Sequence, residues 1–212
     1  MQSRIWTLKR IKIAILDYEV GNHASVKACL DKLGFIVQIT SDVSEIKVSD
    51  LLIMPGVGAF PVAIQSLVKK NLNHLLNEWV LDGRPLFGIC LGMQLFANSS
   101  TEIGFHEGLG FIQGNVTQLS KNNDFHIGWN QLSIREANSF LSEFDGLDFY
   151  FNHSFAYESD SDVSLATTKY VREFPSIVKH GQVIGVQFHP EKSQNVGKEF
   201  FSKIVKELVN GF

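Results

Sequence analysis

Apolar residues follow two textures along this chain. Through the first hundred residues, short all-apolar runs alternate with stretches where apolar residues return every three or four positions. Lys12 to Leu16, Phe35 to Thr40, Leu51 to Met54 and Pro85 to Ile89 are short enough to be buried strands. Between the first two, a helix is expected from Asn22, a good N-cap, to about Leu33. It carries Val26, Leu30 and Leu33 on one face, with Gly34 ending it. One or two helices are expected from Pro61 to Leu81, broken near Asn71 and stopped by Gly83, and Met93 to Ala97 reads as the start of another. Such alternation signals a parallel sheet covered by helices on both faces.

After Phe111 the pattern changes to short strands: Gly110 to Leu119, Phe125 to Ser133, Asp148 to Tyr157, Val163 to Tyr170 and Ser176 to Val186. Turn signals stand at Asn122-Asn123, Gly146 and His180-Gly181. A last helix starts near Asn195, turns Phe200, Phe201, Ile204, Val205 and Leu208 inward, and ends at Asn210-Gly211. The expected fold is α/β: one domain over 12–212, with an open, mostly parallel central sheet covered on both faces and a mixed or antiparallel portion in the second half. Residues 1–11 form a basic extension that reads equally as a disordered tail, a misassigned start or an added strand.

Composition narrows the function. With 212 residues, a sizeable core is available. A net charge of −3 gives no footprint for nucleic acid. No apolar run approaches the roughly 20 residues of a membrane helix, and the N-terminus lacks the apolar region of a secretory signal. Two cysteines, Cys29 and Cys90, do not make a disulfide framework or a structural zinc site and fit a reducing compartment, so a cytoplasmic protein without metal or cofactor is expected. Cys29, beside the apolar face of its helix, reads as a core thiol.

Cys90 is different. It stands between an apolar strand and a helical start, in Gly88-Ile89-Cys90-Leu91-Gly92, which has the G-x-nucleophile-x-G spacing of a nucleophile elbow. The chain must reverse where strand and helix close on each other, so the flanking positions must lack bulk. The turn lifts the side chain clear of the sheet and aims the new helix's free N–H groups at the sulfur. The Leu91 N–H is a natural oxyanion donor. A thiol nucleophile needs a base and a group to orient it. Among seven histidines, His189 stands out in Gly185-Val186-Gln187-Phe188-His189-Pro190-Glu191. Alternation places Gln187 and His189 on one side of the strand. Pro190 ends the strand in extended conformation, so His189 and Glu191 project together. Cys90 and His189 both fall at carboxyl ends of expected strands, where open parallel sheets place their sites.

Gly88-Ile89-Cys90-Leu91-Gly92-Met93-Gln94 with Gln187-Phe188-His189-Pro190-Glu191 resembles the class I (triad) glutamine amidotransferases. Within that family, Asp17-Tyr18, Gly21-Asn22, Pro55-Gly56-Val57-Gly58-Ala59-Phe60, Gly128-Trp129-Asn130, Tyr150-Phe151, His153-Ser154 and His189-Pro190-Glu191-Lys192-Ser193 resemble the glutaminase subunits of imidazole glycerol phosphate synthases. The resemblance covers the chain from about Lys12 onward. It implies Cys90 as nucleophile, His189 as base and Glu191 as the group holding the imidazole. It also implies an oxyanion hole from Gly56, Val57, Gly58 and Leu91, and a glutamine pocket with Gln94, Glu102, His153 and Ser154. The partner it implies is a (β/α)8-barrel cyclase subunit, which takes ammonia into histidine biosynthesis, with Asn22 and Trp129 near the interface. By itself Trp129 reads equally as a core aromatic.

The sequence departs from those subunits in three places. Phe125-His126-Ile127 stands where Pro-His-Met is usual, Asn152 where an apolar residue is usual, and Glu19 where Gly is frequent. All three lie outside the triad and bear on the ammonia acceptor. Two other readings therefore stay open: a paralogous glutaminase subunit feeding amidination of a surface-polysaccharide sugar, and a stand-alone γ-glutamyl cysteine hydrolase. A non-catalytic interaction protein fits poorly with an intact Cys90, His189 and Glu191.

Overall fold

The computed structural model describes residues 11–122, 124–136, 139–159 and 161–210. Residues 1–10, Asn123 of the expected turn and Gly211 of the expected helix stop lie outside the described residues. The chain runs β1 (Lys12–Leu16), α1 (His23–Lys32), β2 (Ile36–Thr40), α2 (Val43–Lys47), β3 (Leu51–Gly56), α3 (Phe60–Lys69), α4 (Leu72–Leu81), β4 (Leu86–Cys90) and α5 (Leu91–Gln94). It continues through β5 (Ser99–Ser100), β6 (His106–Glu107), β7 (Asn115–Gln118), β8 (His126–Gln131), β9 (Ser133–Ile134), β10 (Asp148–His153), β11 (Phe155–Glu158), β12 (Ser164–Lys169), β13 (Glu173–His180), β14 (Val183–Val186) and α6 (Gln194–Asn210).

The main sheet has eight strands in the order β2-β1-β3-β4-β14-β13-β12-β9. From β2 to β14 all pairs are parallel, and from β14 to β9 all are antiparallel. Strand alternation divides the core. Ile13 and Ile15 of β1 face one cluster, with Val26 and Leu30 of α1 and Phe200, Phe201 and Ile204 of α6. Ala14 and Leu16 face the other, with Phe60 and Leu67 of α3 and Leu72, Leu76 and Trp79 of α4. The expected helix-covered sheet is thus present. Part of the second half continues the main sheet, and the rest forms two small sheets, β10-β8 and β11-β7-β5-β6. Among the described residues no helix is long and apolar enough to cross a membrane.

Several expected boundaries shift for identifiable reasons. The helix after the elbow stops at Gln94 instead of running to Ala97. Phe96 and Ala97 N–H groups turn to the i−3 carbonyls of Met93 and Gln94 at 3.0 and 3.1 Å, and the carbonyls of Leu95, Phe96 and Ala97 accept from Leu109, Ile112 and Gly110 N–H groups at 2.8, 3.0 and 3.0 Å. The same bonds delay the strand expected from Gly110, which starts only at Asn115. Asp148 to Tyr157 is two strands: β10 pairs with β8 and β11 with β7, the chain changing sheets at Ser154. Asn22 stands at the N-cap position of α1, but its side chain caps nothing. Helix α2 has no counterpart in the apolar pattern: it buries only Ile46, too few residues for a period, although Asp42 caps it through Ser44 and Glu45 N–H groups. Asn71, in left-handed conformation at φ 56°, breaks the α3–α4 stretch where expected.

Candidate active site

Cys90 closes β4 with φ 54° and ψ −109°, backbone that L residues seldom adopt. Packing makes that turn possible. A methyl on Gly92 would overlap the Met54 carbonyl, and one on Gly88 would meet the Phe96 ring and, at 2.7 Å, Met93 N. Gly56, in register with Cys90, leaves room for Leu91: a methyl there would lie 2.6 Å from the Tyr18 hydroxyl and 2.8 Å from Leu91 Cβ. The elbow glycines therefore permit close approach of backbone to backbone.

His189 arrives from the neighbouring strand. β14 is parallel to β4, with Val186 opposite Ile89, so the two chain segments leave the sheet at the same carboxyl edge. β14 ends at Val186, the expected bound, and Pro190–Lys192 forms a 3-10 turn. The expected extended geometry from His189 to Glu191 is thus corrected: His189 is extended, and the turn after it brings the carboxylate round. Glu191 Oε1 accepts from His189 Nδ1 at 2.9 Å, and both side chains are almost wholly buried. Ser193, also buried, bridges this turn to β10: its Oγ donates to His189 O at 2.7 Å and accepts from Tyr150 N at 3.0 Å. His189 N in turn donates to Tyr150 O at 2.8 Å.

Burial alone would push the His189 pKa down. The Cys90 sulfur and the Glu191 carboxylate outweigh it and raise the value to about 10. Among the described residues His189 Nε2 has no hydrogen-bond partner of good geometry, while the thiol donates to Asn152 O at 3.9 Å. A proton passing from sulfur to imidazole therefore finds a stable seat. Cys29 sits in the α1 core, where burial and the nearby Glu191 push its thiol pKa up.

Cys90 opens onto a cavity of about 260 Å³. Of the residues expected at the site, Val57, Gly58, Leu91, Gln94, Glu102, His153 and Ser154 line it with Cys90, joined by Phe125, Asn152 and Phe155. Gly56 lies beneath the elbow and does not line it. Glu102 also braces the cavity wall. Its Oε2 accepts from Phe60 N at 2.9 Å, tethering the loop of Val57 and Gly58 at the start of α3. The hydroxyl of Tyr18 holds the other end by donating to Pro55 O at 2.6 Å. His153 and His126 are hydrogen-bonded at 3.0 Å, and burial lowers their pKa values to about 3 and about 4, so both are neutral at pH 7. Asn22 and Trp129 are not in the cavity. Trp129 is 47% exposed beside Tyr150, which excludes the core-aromatic reading. Sequence patterns assign no role to His126, Gln187 or Ser193. The one signal they offer is the alternation that sets Gln187 beside His189.

Comparison with known proteins agrees with this geometry. The family model described as glutamine amidotransferase class-I matches residues 14–208. Imidazole glycerol phosphate synthase subunit HisH of Listeria monocytogenes serovar 1/2a is 42% identical over 190 residues, covering 88% of this chain and 91% of that one. The subunit of the same name from Lactococcus lactis subsp. lactis is 41% identical over 202 residues, covering 93% and 99%. Among solved structures, PurLQS from Thermotoga maritima superposes with TM-score 0.72 at 19% identity, covering 94% of this chain and 99% of that one. A glutamine amidotransferase from the same organism gives TM-score 0.71 at 15% identity, covering 95% and 99%. The two structures share the fold, and the family model with the nearer relatives fixes the assignment: this chain belongs to the class-I glutamine amidotransferase family.

Proposed function

We propose that this chain hydrolyses glutamine to glutamate and ammonia through Cys90, His189 and Glu191, and delivers the ammonia to a (β/α)8-barrel cyclase subunit that makes imidazole glycerol phosphate and AICAR. The observation that carries the reading is the buried His189–Glu191 pair, 2.9 Å apart, at the same sheet edge as a strained cysteine elbow. His189 takes the Cys90 proton and the sulfur attacks the side-chain amide carbon. The carbonyl electrons move to oxygen, where N–H groups of Leu91 and of the Gly56-Val57-Gly58 loop receive the charge. As the C–N bond breaks, His189 returns the proton to nitrogen and ammonia leaves, giving a γ-glutamyl thioester. Water then attacks the thioester carbon, giving its proton to His189. The C–S bond breaks, the sulfur is reprotonated and glutamate departs.

Glu102 and Gln94 receive the substrate's charged end, with His153 and Ser154 lining the same pocket. The catalytic unit spans 12–212, preceded by the 1–11 extension, and works in the cytoplasm. Ammonia is mostly ammonium at neutral pH and then not nucleophilic, so direct passage into the partner has a chemical purpose. The nearer relatives' shared name favours the cyclase partner over a sugar-amidating complex or a free hydrolase. Glutamate release is measured with the chain alone, with the cyclase subunit of the same organism, and with that subunit plus its nucleotide substrate. Strong stimulation by the nucleotide supports the reading. Full turnover by the chain alone, or cyclase binding with no nucleotide response, contradicts it.

A further inference from the structure

Gln187 is fully buried, and the mechanism above leaves it unused. The direction of its amide is fixed by a backbone carbonyl two links away. Phe155 O can only accept, and it takes Gln94 Nε2–H at 2.9 Å and His153 Nδ1–H at 2.8 Å. Gln94 therefore turns its NH2 group inward, and the second N–H of that group meets Gln187 Oε1 at 3.0 Å. Gln187 must then present its own NH2 at the other end, where Nε2 lies 3.6 Å from Cys90 Sγ. The same carbonyl sets the other arm. With Nδ1 of His153 protonated, its Nε2 accepts from His126 Nδ1, and His126 Nε2 accepts from Asn130 Nδ2 at 3.2 Å.

We propose that Gln187 is a positioning residue for the glutaminase reaction: its amide N–H holds the Cys90 sulfur and hydrogen-bonds to it whenever it carries negative charge, both as attacking and as leaving group. The proposal rests on the glutaminase reading above. Gln187 Nε2 stands in hydrogen-bond geometry to the sulfur, with the Asn152 carbonyl facing it from another side and the His189 imidazole also acting on it. A donor fixed before the reaction stabilises charge that develops on the sulfur without reorganising. The arrangement also narrows the part of Gln94. Both of its N–H groups are engaged, by Phe155 O and Gln187 Oε1, so towards substrate it offers only Oε1.

Two substitutions separate this role from simple packing. Gln187→Glu keeps an acceptor for Gln94 and the side-chain size but places an oxygen at the sulfur. Gln187→Met keeps the volume and removes both polar ends. Glutaminase kinetics are measured on the full chain with its cyclase subunit, and the rate of Cys90 carboxamidomethylation by iodoacetamide on the full chain alone. Loss of a hydrogen bond to a charged group predicts a fall of about tenfold or more in kcat and in alkylation rate for both variants, with KM for glutamine changed less than about twofold in Gln187→Glu, which keeps the acceptor for Gln94. Gln187→Glu is at least as impaired as Gln187→Met. A Gln187→Glu chain with normal kcat and alkylation, or a loss carried by KM, overturns the proposal. Thermal unfolding accompanies each variant, and if Gln187→Met does not fold, Gln187→Glu decides alone. Absence of glutaminase activity in the unaltered complex would overturn the functional reading instead, while the alkylation rates still decide the role of Gln187.

Discussion

At the scale of single residues, the chain places backbone strain where neighbours enforce it. Cys90 holds its positive φ because Gly56, Gly88 and Gly92 let the turn close on β3 and β4. Glu19 also has a positive φ, 66°, a backbone conformation that favours glycine. Its ion pair with Lys70, 3.0 Å long but largely exposed, offsets little of that cost. Glu19→Gly is therefore expected to stabilise the fold by up to ~1 kcal/mol, read by urea unfolding. The histidines carry an acid liability. His126 and His153 titrate near 4 and near 3 in the fold, against about 6.5 when unfolded. Below about pH 6.5 the unfolded chain binds protons that the folded chain refuses, so stability falls as pH drops from there through the folded values. His189 acts in the opposite sense: its contribution is complete below about pH 6.5 and is lost as pH rises through about 10. Comparing unfolding midpoints at about pH 7.5 and about pH 5.5, His153→Gln should lose less on acidification than the unaltered chain. A loss as large would show that these imidazoles are not held neutral by burial.

At the scale of elements, the site depends on how strand ends are joined. β10 supplies Tyr150, whose amide and carbonyl grip Ser193 and His189, so the turn carrying the imidazole is tied to a strand outside the main sheet. Ser193→Ala removes both Oγ bonds in a buried place. It should cost about 1–3 kcal/mol of stability and lower kcat more than it raises KM, seen in paired unfolding and glutaminase assays. Short elements explain most of the shifted boundaries. The elbow helix reads as a longer one because Met93 to Ala97 carries no stop signal. Beyond Gln94 the amides tighten to i−3 bonds and the carbonyls of Leu95 to Ala97 pair with the 109–112 segment, and no local pattern announces that distant pairing. The His189–Glu191 geometry has a similar cause: proline fixes the local backbone, but the 3-10 turn of Pro190–Lys192 leaves no mark in two-residue alternation.

At the scale of the whole molecule, the helix-covered parallel sheet is legible because its signals are periodic and local, from Ile13 and Ile15 on one face to Ala14 and Leu16 on the other. Cys90, His189 and Glu191 can be picked out because glycine spacing and a His-x-Glu pair each carry a mechanical reason. The Gln94–Gln187–Cys90 chain cannot, because its members lie 93 and 97 positions from their partners and polar core residues have no period of their own. Outside the core, β8 turns Ile127 and Trp129 to solvent next to Phe125, an apolar stripe beside the cavity mouth. We propose this stripe as the face that meets the cyclase subunit, since contiguous exposed apolar residues suit a protein contact. Trp129→Ala should weaken cyclase binding by about 2 kcal/mol or more, measured by calorimetry, while leaving the fold's thermal unfolding within about 0.5 kcal/mol. The most direct test of the central claim looks for the covalent bond itself. The complex is quenched in acid during glutamine turnover, and the peptide containing Cys90 is weighed by mass spectrometry. A γ-glutamyl group on Cys90, absent together with all turnover in Cys90→Ala, is the predicted result; glutamine hydrolysis persisting in Cys90→Ala, with no such adduct in the unaltered chain, would contradict it.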